Sequence, residues 1–333
     1  MSVLDQVRLG ASDLQVSRFC LGTATFGGQC DEETSFRILD HAMELGIRFI
    51  DTADKYPLGS GFDEAGVTEA IIGRWIKSRK PDVVVATKVH GATGPMPWNQ
   101  GLGRRHLTEA IDASLRRLGL DAVDLYQLHR PDPQTPIEET LETLTDLVSA
   151  GKVRFTGCSN FLAYQLMRAL GKSDLYHYAR FISVQPRYNL LFREHERELF
   201  PLCELEGIGV ITYNLLAGGL LTGKHNPTAP PDSTSRFATT GAAELYRERY
   251  WNGQAFEAVA QLTGIAERLG LSLPTLATAW VLHQPFVSSI LLGATRPEQL
   301  DGPVSALGVQ LDASTLEEID AVTREFRYGD AVQ

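Results

Sequence analysis

Short apolar runs rich in β-branched residues alternate along this chain with longer segments whose apolar positions recur at helical spacing. Phe19-Cys20-Leu21-Gly22 opens the series, and residues 31–45 follow with Phe36, Leu39 and Met43 on one face, the repeat of an amphipathic helix. Arg48–Asp51 is the next short run and Val67–Ile76 the next helix. Val83–Lys88 is apolar without alternation, as expected of a strand covered on both sides. Leu107–Leu118 predicts a helix stopped by Gly119, and Val123–His129 a strand. Pro136 then opens a helix to Ala150, with Gly151 just past its end. Val153–Cys158, Phe181–Gln185 and Val210–Asn214 read as strands, separated by helical sequence over Phe161–Leu170 and His195–Glu206. From Leu215 to Asn252 the rhythm breaks, with prolines at 227, 230 and 231. Helices resume at Ala255–Leu269 and Leu273–His283, the last strand is Val287–Leu292, and helical segments continue to about Phe326.

Strand–helix alternation means a parallel sheet. Eight such units in 333 residues fit a closed (β/α)8 TIM barrel, with an open, doubly wound sheet as the rival. Ahead of the first strand, Val7–Gly10 and Leu14–Ser17 flank Ala11-Ser12-Asp13. This predicts an N-terminal β-hairpin that caps the barrel's N-terminal mouth. With no internal repeat and no low-complexity linker, residues 1–333 are read as a single barrel domain.

Composition narrows the partners. The formal net charge of −10 argues against a nucleic-acid surface and an anionic membrane, though one or two local cations could still hold a phosphorylated ligand. No stretch approaches the roughly 20 apolar residues of a membrane span. The N-terminus has no apolar run that would mark a signal peptide, so a cytoplasmic location is expected. Cys20, Cys30, Cys158 and Cys203 are scattered without a CxxC pair, which suggests neither a disulfide framework nor a zinc cage. The oligomeric state, monomer or homo-oligomer, stays open.

In a parallel barrel the working residues gather at the C-terminal strand ends and in the loops behind them. The second strand ends at Asp51, with Tyr56 in its loop; the third ends at Lys88 and the fourth at His129. The fifth ends at Ser159-Asn160, the sixth at Gln185 and the seventh at Tyr213. Four titratable groups at successive positions thus converge on one mouth. Each alone reads better as a loop cap, a solvated strand end or an ordinary aromatic; the matched set is what points to chemistry.

The same residues carry a resemblance. FIDTADKY (Phe49–Tyr56), VVVATKV (Val83–Val89), DLYQLHRP (Asp124–Pro131), GCSNF (Gly157–Phe161), SVQPRYNLL (Ser183–Leu191), GLLTGK (Gly219–Lys224) and GATRPEQL (Gly293–Leu300) resemble, in order, the motifs of the aldo-keto reductase family. The resemblance implies reduction of an aldehyde or ketone with a nicotinamide cofactor. Physical chemistry assigns roles that agree. A carbonyl accepting hydride develops negative charge on oxygen and needs a proton donor. A tyrosine with an ordinary pKa near 10 needs tuning, which a neighbouring lysine supplies by favouring the phenolate. Tyr56 is therefore expected to be the general acid, Lys88 its tuner, Asp51 the partner of the lysine and His129 the group that orients the carbonyl. His90 is read as a loop residue and Cys158 as a small core residue.

The nicotinamide carboxamide would be met by Ser159, Asn160 and Gln185, with Tyr213 stacked under the ring. GxGxxG is absent, so a Rossmann pyrophosphate turn is not supported. Gly218–Lys224 satisfies GxxxxGK, but His225 follows instead of Ser or Thr, which disfavours a phosphate-hydrolysing loop. The segment instead resembles the family's pyrophosphate loop, which implies cofactor contacts for Leu215, Gly218, Leu220 and Lys224. The last strand and turn resemble the adenosine-phosphate site, implying roles for Gly293, Thr295, Arg296 and Gln299. Arg296 is a guanidinium suited to a 2′-phosphate, which favours NADP(H), with NAD(H) the less favoured alternative. Tyr56 is followed by Pro57 where the family usually has glycine, so the pocket loop is expected to bend differently. The loop His90–Gly103, with Trp98, is long enough to wall a pocket, and Asp54, Lys55 and Arg130 either face a polar substrate or are solvated loop charges. The short tail after Phe326 cannot form a large closing loop. A small polar or sugar-like carbonyl is the expected substrate. Two other readings remain: an NADPH-binding regulatory protein of the same fold with little turnover, and a metal-dependent barrel hydrolase, for which the first strand FCLGT offers no ligand pair.

Overall fold

The computed structural model describes residues 6–233, 235–239 and 243–329. The start of the chain, where the absence of a leader was read, and residues 330–333 of the tail lie outside the described residues. Two short antiparallel strands, β1 (Gln6–Arg8) and β2 (Gln15–Ser17), pair Gln6 with Ser17 and Arg8 with Gln15. They are the expected hairpin. Eight parallel strands then close a barrel in chain order, with the last pairing with the first. These are β3 (Phe19–Gly22), β4 (Phe49–Asp51), β5 (Val84–Val89), β6 (Val123–Leu128), β7 (Val153–Ser159), β8 (Phe181–Gln185), β9 (Gly209–Thr212) and β10 (Val287–Gly293). Closure rules out the doubly wound sheet.

Helices α1 (Glu32–Glu44), α2 (Val67–Arg79), α3 (Arg104–Leu118), α4 (Ile137–Ser149), α5 (Ala163–Tyr176) and α6 (Leu199–Glu206) follow β3 to β8 in turn. Their limits have local causes. Asp31 caps α1 by accepting the Thr34 N–H at 2.8 Å. α3 starts one turn before the expected Leu107, at Arg104, and ends at Gly119, whose φ of 67° only glycine adopts cheaply. α5 begins after Phe161 and Leu162, because the Gln165 side chain takes the Leu162 N–H at 2.9 Å and fixes the entry there. It also runs on to Tyr176, past the expected Leu170. The segment read as one helix over His195–Glu206 is a 3-10 turn at Glu194–Glu196 followed by α6.

The arrhythmic stretch after β9 is not structureless. It folds as a 3-10 turn over Ala217–Thr222, then α7 (Arg236–Thr239) and α8 (Ala243–Tyr250), before α9 (Gly253–Arg268) and α10 (Leu273–His283) lead into β10. α11 (Asp301–Ser305) and α12 (Ala313–Thr323) follow, and a 3-10 turn over Arg324–Tyr328 ends the described chain.

The larger apolar core lies between the barrel wall and the helices; Leu21, Ile38, Ile72, Tyr126, Leu144, Leu166 and Val281 belong to it. A second cluster fills the barrel's lower half, where Cys20, Phe49, Ala86, Leu125 and Ile211 meet Leu9 and Val16 of the hairpin. The approach is close enough that a Cβ on Gly209 would sit 2.6 Å from Leu9 Cδ1. Strand alternation carries the inward face upward from this plug, from Phe49 to Asp51, Ala86 to Lys88 and Leu125 to Gln127. The interior therefore changes from apolar to polar toward the C-terminal mouth.

Candidate active site

Asp51 is the hub of that polar layer. Lys88 Nζ is paired with Asp51 Oδ1 and also donates to the Thr52 carbonyl at 3.0 Å. The other carboxylate oxygen accepts from Gln127 Nε2 at 2.9 Å and Gln185 Nε2 at 3.0 Å. Lys88 and Asp51 are each only 1% exposed, so each charge depends on the other. Burial works against the Lys88 ammonium, but Asp51 and Tyr56 outweigh it and hold its pKa at about 12.

Tyr56 sits above this pair. Lys88 Nζ lies 5.2 Å from its ring centre. Burial raises the phenol above its ordinary pKa of 10; Lys88 pulls it back by charge and hydrogen bonding, and Asp51 adds to the rise. The expected net lowering by lysine is thus reversed, because the loss of solvation exceeds the lysine's effect. The Tyr56 carbonyl accepts from the N–H groups of Gly66 at 3.2 Å and Thr68 at 3.5 Å, so the N-terminal turn of α2 anchors the loop. The Tyr56–Pro57 peptide is cis. The His129 ring packs edge-on to Tyr56 at 5.7 Å between centres and 79° between planes. Burial and the neighbouring Lys88, His90 and Arg130 hold its pKa well below the ordinary histidine value, so the imidazole is neutral. Phenol, ammonium, carboxylate and imidazole therefore meet at one mouth.

The other expected residues follow along the remaining half of the rim. Ser159 is buried at the end of β7 and donates to the Gln185 carbonyl at 2.8 Å. Asn160, held at φ 60°, donates to the His129 carbonyl at 2.9 Å and the Ser159 hydroxyl at 3.0 Å, and accepts from the Tyr213 hydroxyl at 2.7 Å. Gln185 spends its amide N–H groups on Asp51 and Gln127, and among the described residues its Oε1 accepts no hydrogen bond. Tyr213 is half-buried just past β9.

Leu215 and Leu220 face the apolar core. Gly218 adopts φ 70°, its N–H turned to Asn214 Oδ1 at 2.8 Å, and Lys224 is exposed. Gly293, Arg296 and Gln299 are exposed at the end of β10, where Gln299 Oε1 accepts the Thr295 N–H at 2.7 Å. The donor set fits a dinucleotide: amides and hydroxyls stand at the ends of β7 and β8, a half-buried aromatic just past β9, and exposed cations at Lys224 and Arg296 in the loops after β9 and β10. The open space around Gly293, where an added Cβ would meet nothing within 4 Å, leaves room for a ligand.

Two features were not anticipated. Gln127 lies two residues before His129 and shares the inward face with it; the strand's alternation was the available signal. Tyr246 of α8 comes within electrostatic reach of Tyr56, and Arg249 and Tyr250 within that of Tyr213. The arrhythmic stretch thus closes one side of the mouth. Among the described residues no three His, Cys, Asp or Glu side chains form a group able to hold a metal, all four cysteines are free and buried, and no helix is long and apolar enough to cross a membrane.

Fold and mouth together define a (β/α)8-barrel protein whose polar residues converge at the C-terminal end. The aldo/keto reductase family model matches residues 18–324, and the chain belongs to that family. It is 35% identical to Protein tas of Escherichia coli (strain K12), over 96% of this chain and 98% of that one. It is 34% identical to the uncharacterized oxidoreductase YrpG of Bacillus subtilis (strain 168), over 96% of each. A probable voltage-gated potassium channel subunit beta of Arabidopsis thaliana is 38% identical over 90% of each chain. Family membership and the oxidoreductase among these relatives support an oxidoreductase.

Proposed function

We propose that the protein reduces an aldehyde or ketone to the alcohol with NADPH. A bound nicotinamide supplies the hydride to the carbonyl carbon. Tyr56 donates its phenolic proton to the carbonyl oxygen, so the substrate leaves as the alcohol and the cofactor leaves oxidised. Lys88, fixed by Asp51, stabilises the phenolate that remains. Neutral His129 donates a hydrogen bond that turns the carbonyl toward the phenol. Ser159, Asn160 and Gln185 hold the carboxamide, Tyr213 backs the ring, and Lys224 and Arg296 meet the phosphates, with Thr295 and Gln299 at the adenosine end. The observation that carries this reading is the buried Lys88–Asp51 pair directly beneath a protonated tyrosine.

A positioned acid contributes on the order of 10²- to 10⁴-fold, so Tyr56→Phe is expected to lose turnover by that factor while still binding NADPH. NADPH oxidation with a panel of aldehydes, beside a fluorescence titration of cofactor binding, checks both. Wild-type turnover in the Phe variant would remove Tyr56 from the role. The channel-subunit relatives favour a second reading, a regulatory protein that binds NADPH and turns over little. Cofactor binding by wild type without steady oxidation for any carbonyl would select it.

A further inference from the structure

We propose that the carbonyl substrate carries an anionic group, a carboxylate or a phosphate, held beside the tetrad by Lys55 and Arg130 over the His90–Gly91 turn. The inference rests on the carbonyl-reductase reading and names its substrate class. Lys55 directly precedes Tyr56 and Arg130 directly follows His129, so each residue that meets the carbonyl has a cation as its chain neighbour. Both side chains lie against the same turn. The Lys55 stem lies on Gly91, where an added Cβ would stand 2.8 Å from Lys55 Cγ and 3.0 Å from its Cβ. Arg130 Nε donates to His90 Nδ1 at 3.1 Å, which leaves the proton of that ring on Nε2 as a further donor.

Neither cation makes an ion pair among the described residues, although the chain has 41 acidic residues against 31 lysines and arginines. The nearby carboxyl groups are engaged elsewhere. Asp51 is matched by Lys88. Asp54 is buried with neither oxygen hydrogen-bonded, and burial together with Glu69 pushes its carboxyl well above the usual range, toward the uncharged form. Asp132 makes no ion pair with either cation; it accepts from the N–H groups of Leu102 at 2.8 Å and Gln134 at 2.9 Å and from the Thr135 hydroxyl at 2.8 Å, and against the effect of burial these bonds hold its carboxyl below the usual range. Two cations without ion-pair partners among the described residues thus stand beside the mouth of an acidic protein, with the Asp132 carboxylate lining the groove next to Arg130.

There is also room beyond it. A groove of about 640 Å³ runs from His90 and Arg130, between the loops after β5 and β6, to Trp98. Trp98 is 45% exposed and held flat by Arg105, 4.6 Å over its ring. His106 lines the groove with a buried Nε2 that has no hydrogen-bond partner.

The test compares matched substrates: 4-carboxybenzaldehyde against its methyl ester, and glyceraldehyde 3-phosphate against glyceraldehyde, for wild type, Arg130→Met, Lys55→Met, the double variant and Arg130→Lys. Hydrogen bonds to charged groups are strong enough for a preference of about tenfold or more in kcat/KM for the charged member of at least one pair. That preference should be carried by KM and eroded by added salt. The pair that shows it tells carboxylate from phosphate. It should shrink in each Met variant, vanish in the double and survive in part in Arg130→Lys. Equal kcat/KM within both pairs, or a preference that ignores both substitutions, overturns the anion site. Calorimetric binding of 4-(hydroxymethyl)benzoate and its methyl ester, with NADP+ present, separates the two readings. A preference for the acid that depends on Arg130, without turnover of any carbonyl, keeps the anion site and overturns the reductase. No preference for the acid overturns the site whatever the turnover.

Discussion

Lys88 keeps its charge where no water reaches it, and this is possible only because Asp51 is equally enclosed and equally charged. Removing one partner of such a pair strands the other; breaking a buried pair typically costs about 3–5 kcal/mol. Asp51→Asn should therefore destabilise the protein by roughly that amount, even though Asn could still accept from Gln127 or Gln185. Adding Lys88→Met removes the stranded ammonium, so the double variant should be less damaged than the two single losses predict by more than about 1 kcal/mol. Urea unfolding of the four proteins measures this coupling, and additive losses would mean that the pair is not the unit described here. The pair was legible from the strand ends, since Asp51 closes β4 and Lys88 stands one residue from the end of β5. So was Gln127 in principle, because a residue two before His129 on one strand must face the same way. What could not be read was the sign of the Tyr56 shift, since that depends on how far the phenol is enclosed, to which Tyr246 of α8, nearly 200 positions away in the chain, adds a further upward push.

Helices and strands were legible wherever a period repeats, and lost where a single contact overrides it. β8 and α10 fall where the spacing puts them, whereas α5 starts late because one glutamine side chain fixes its entry. The stretch after β9 has no period to read: α7 and α8 are short and held by aromatic contacts, Phe237 on Trp251 at 5.0 Å and Tyr246 against Gly218. Two helical glycines separate intrinsic preference from packing. Gly171 in α5 has nothing within 4 Å of an added Cβ, so Gly171→Ala should stabilise by about 0.5–1 kcal/mol. Gly73 in α2 faces the backbone of α3, where the Cβ would fall 2.0 Å from the Arg117 carbonyl oxygen. Its substitution by alanine should instead cost roughly 1–3 kcal/mol, because the helices must move apart. Thermal melts of the two variants should shift in opposite directions; a stabilised Gly73→Ala protein would show that α2 and α3 can separate without loss.

The closed barrel divides its rim in two, with Asp51, Tyr56, Lys88 and His129 on or just past β4 to β6 and the candidate cofactor contacts on or just past β7 to β10, and burial at that mouth shapes the response of the fold to acid. Burial, the largest cause in each case, depresses His90, His106, His129, His195 and His225 below the ordinary histidine value. His195 is pushed down to about 4, with Arg187 adding to the effect of burial. A histidine depressed in the folded state binds fewer protons there than in the unfolded chain. Its stabilisation is complete above the unfolded pKa of about 6.5 and is lost as pH falls toward the folded value. For His195 alone that loss is roughly 3 kcal/mol. His41, raised through Asp301 and Glu44 against the opposing effect of its burial, runs the other way. It lies on the surface between α1 and α11, where water screens its partners, so it offsets little. Asp54 opposes the imidazoles, because its carboxyl is pushed up by burial and its protonation stabilises the fold as pH falls; carboxylates held down by arginines against their own burial, such as Glu196 and Asp320, begin to contribute losses only below about pH 5. The melting temperature should therefore fall steadily from pH 7 to pH 5, before those carboxylates titrate, and His195→Gln should flatten that part of the curve. A melting temperature constant over this interval would mean that these imidazoles take up protons in the folded protein as readily as in the unfolded chain, against the direction their burial gives them.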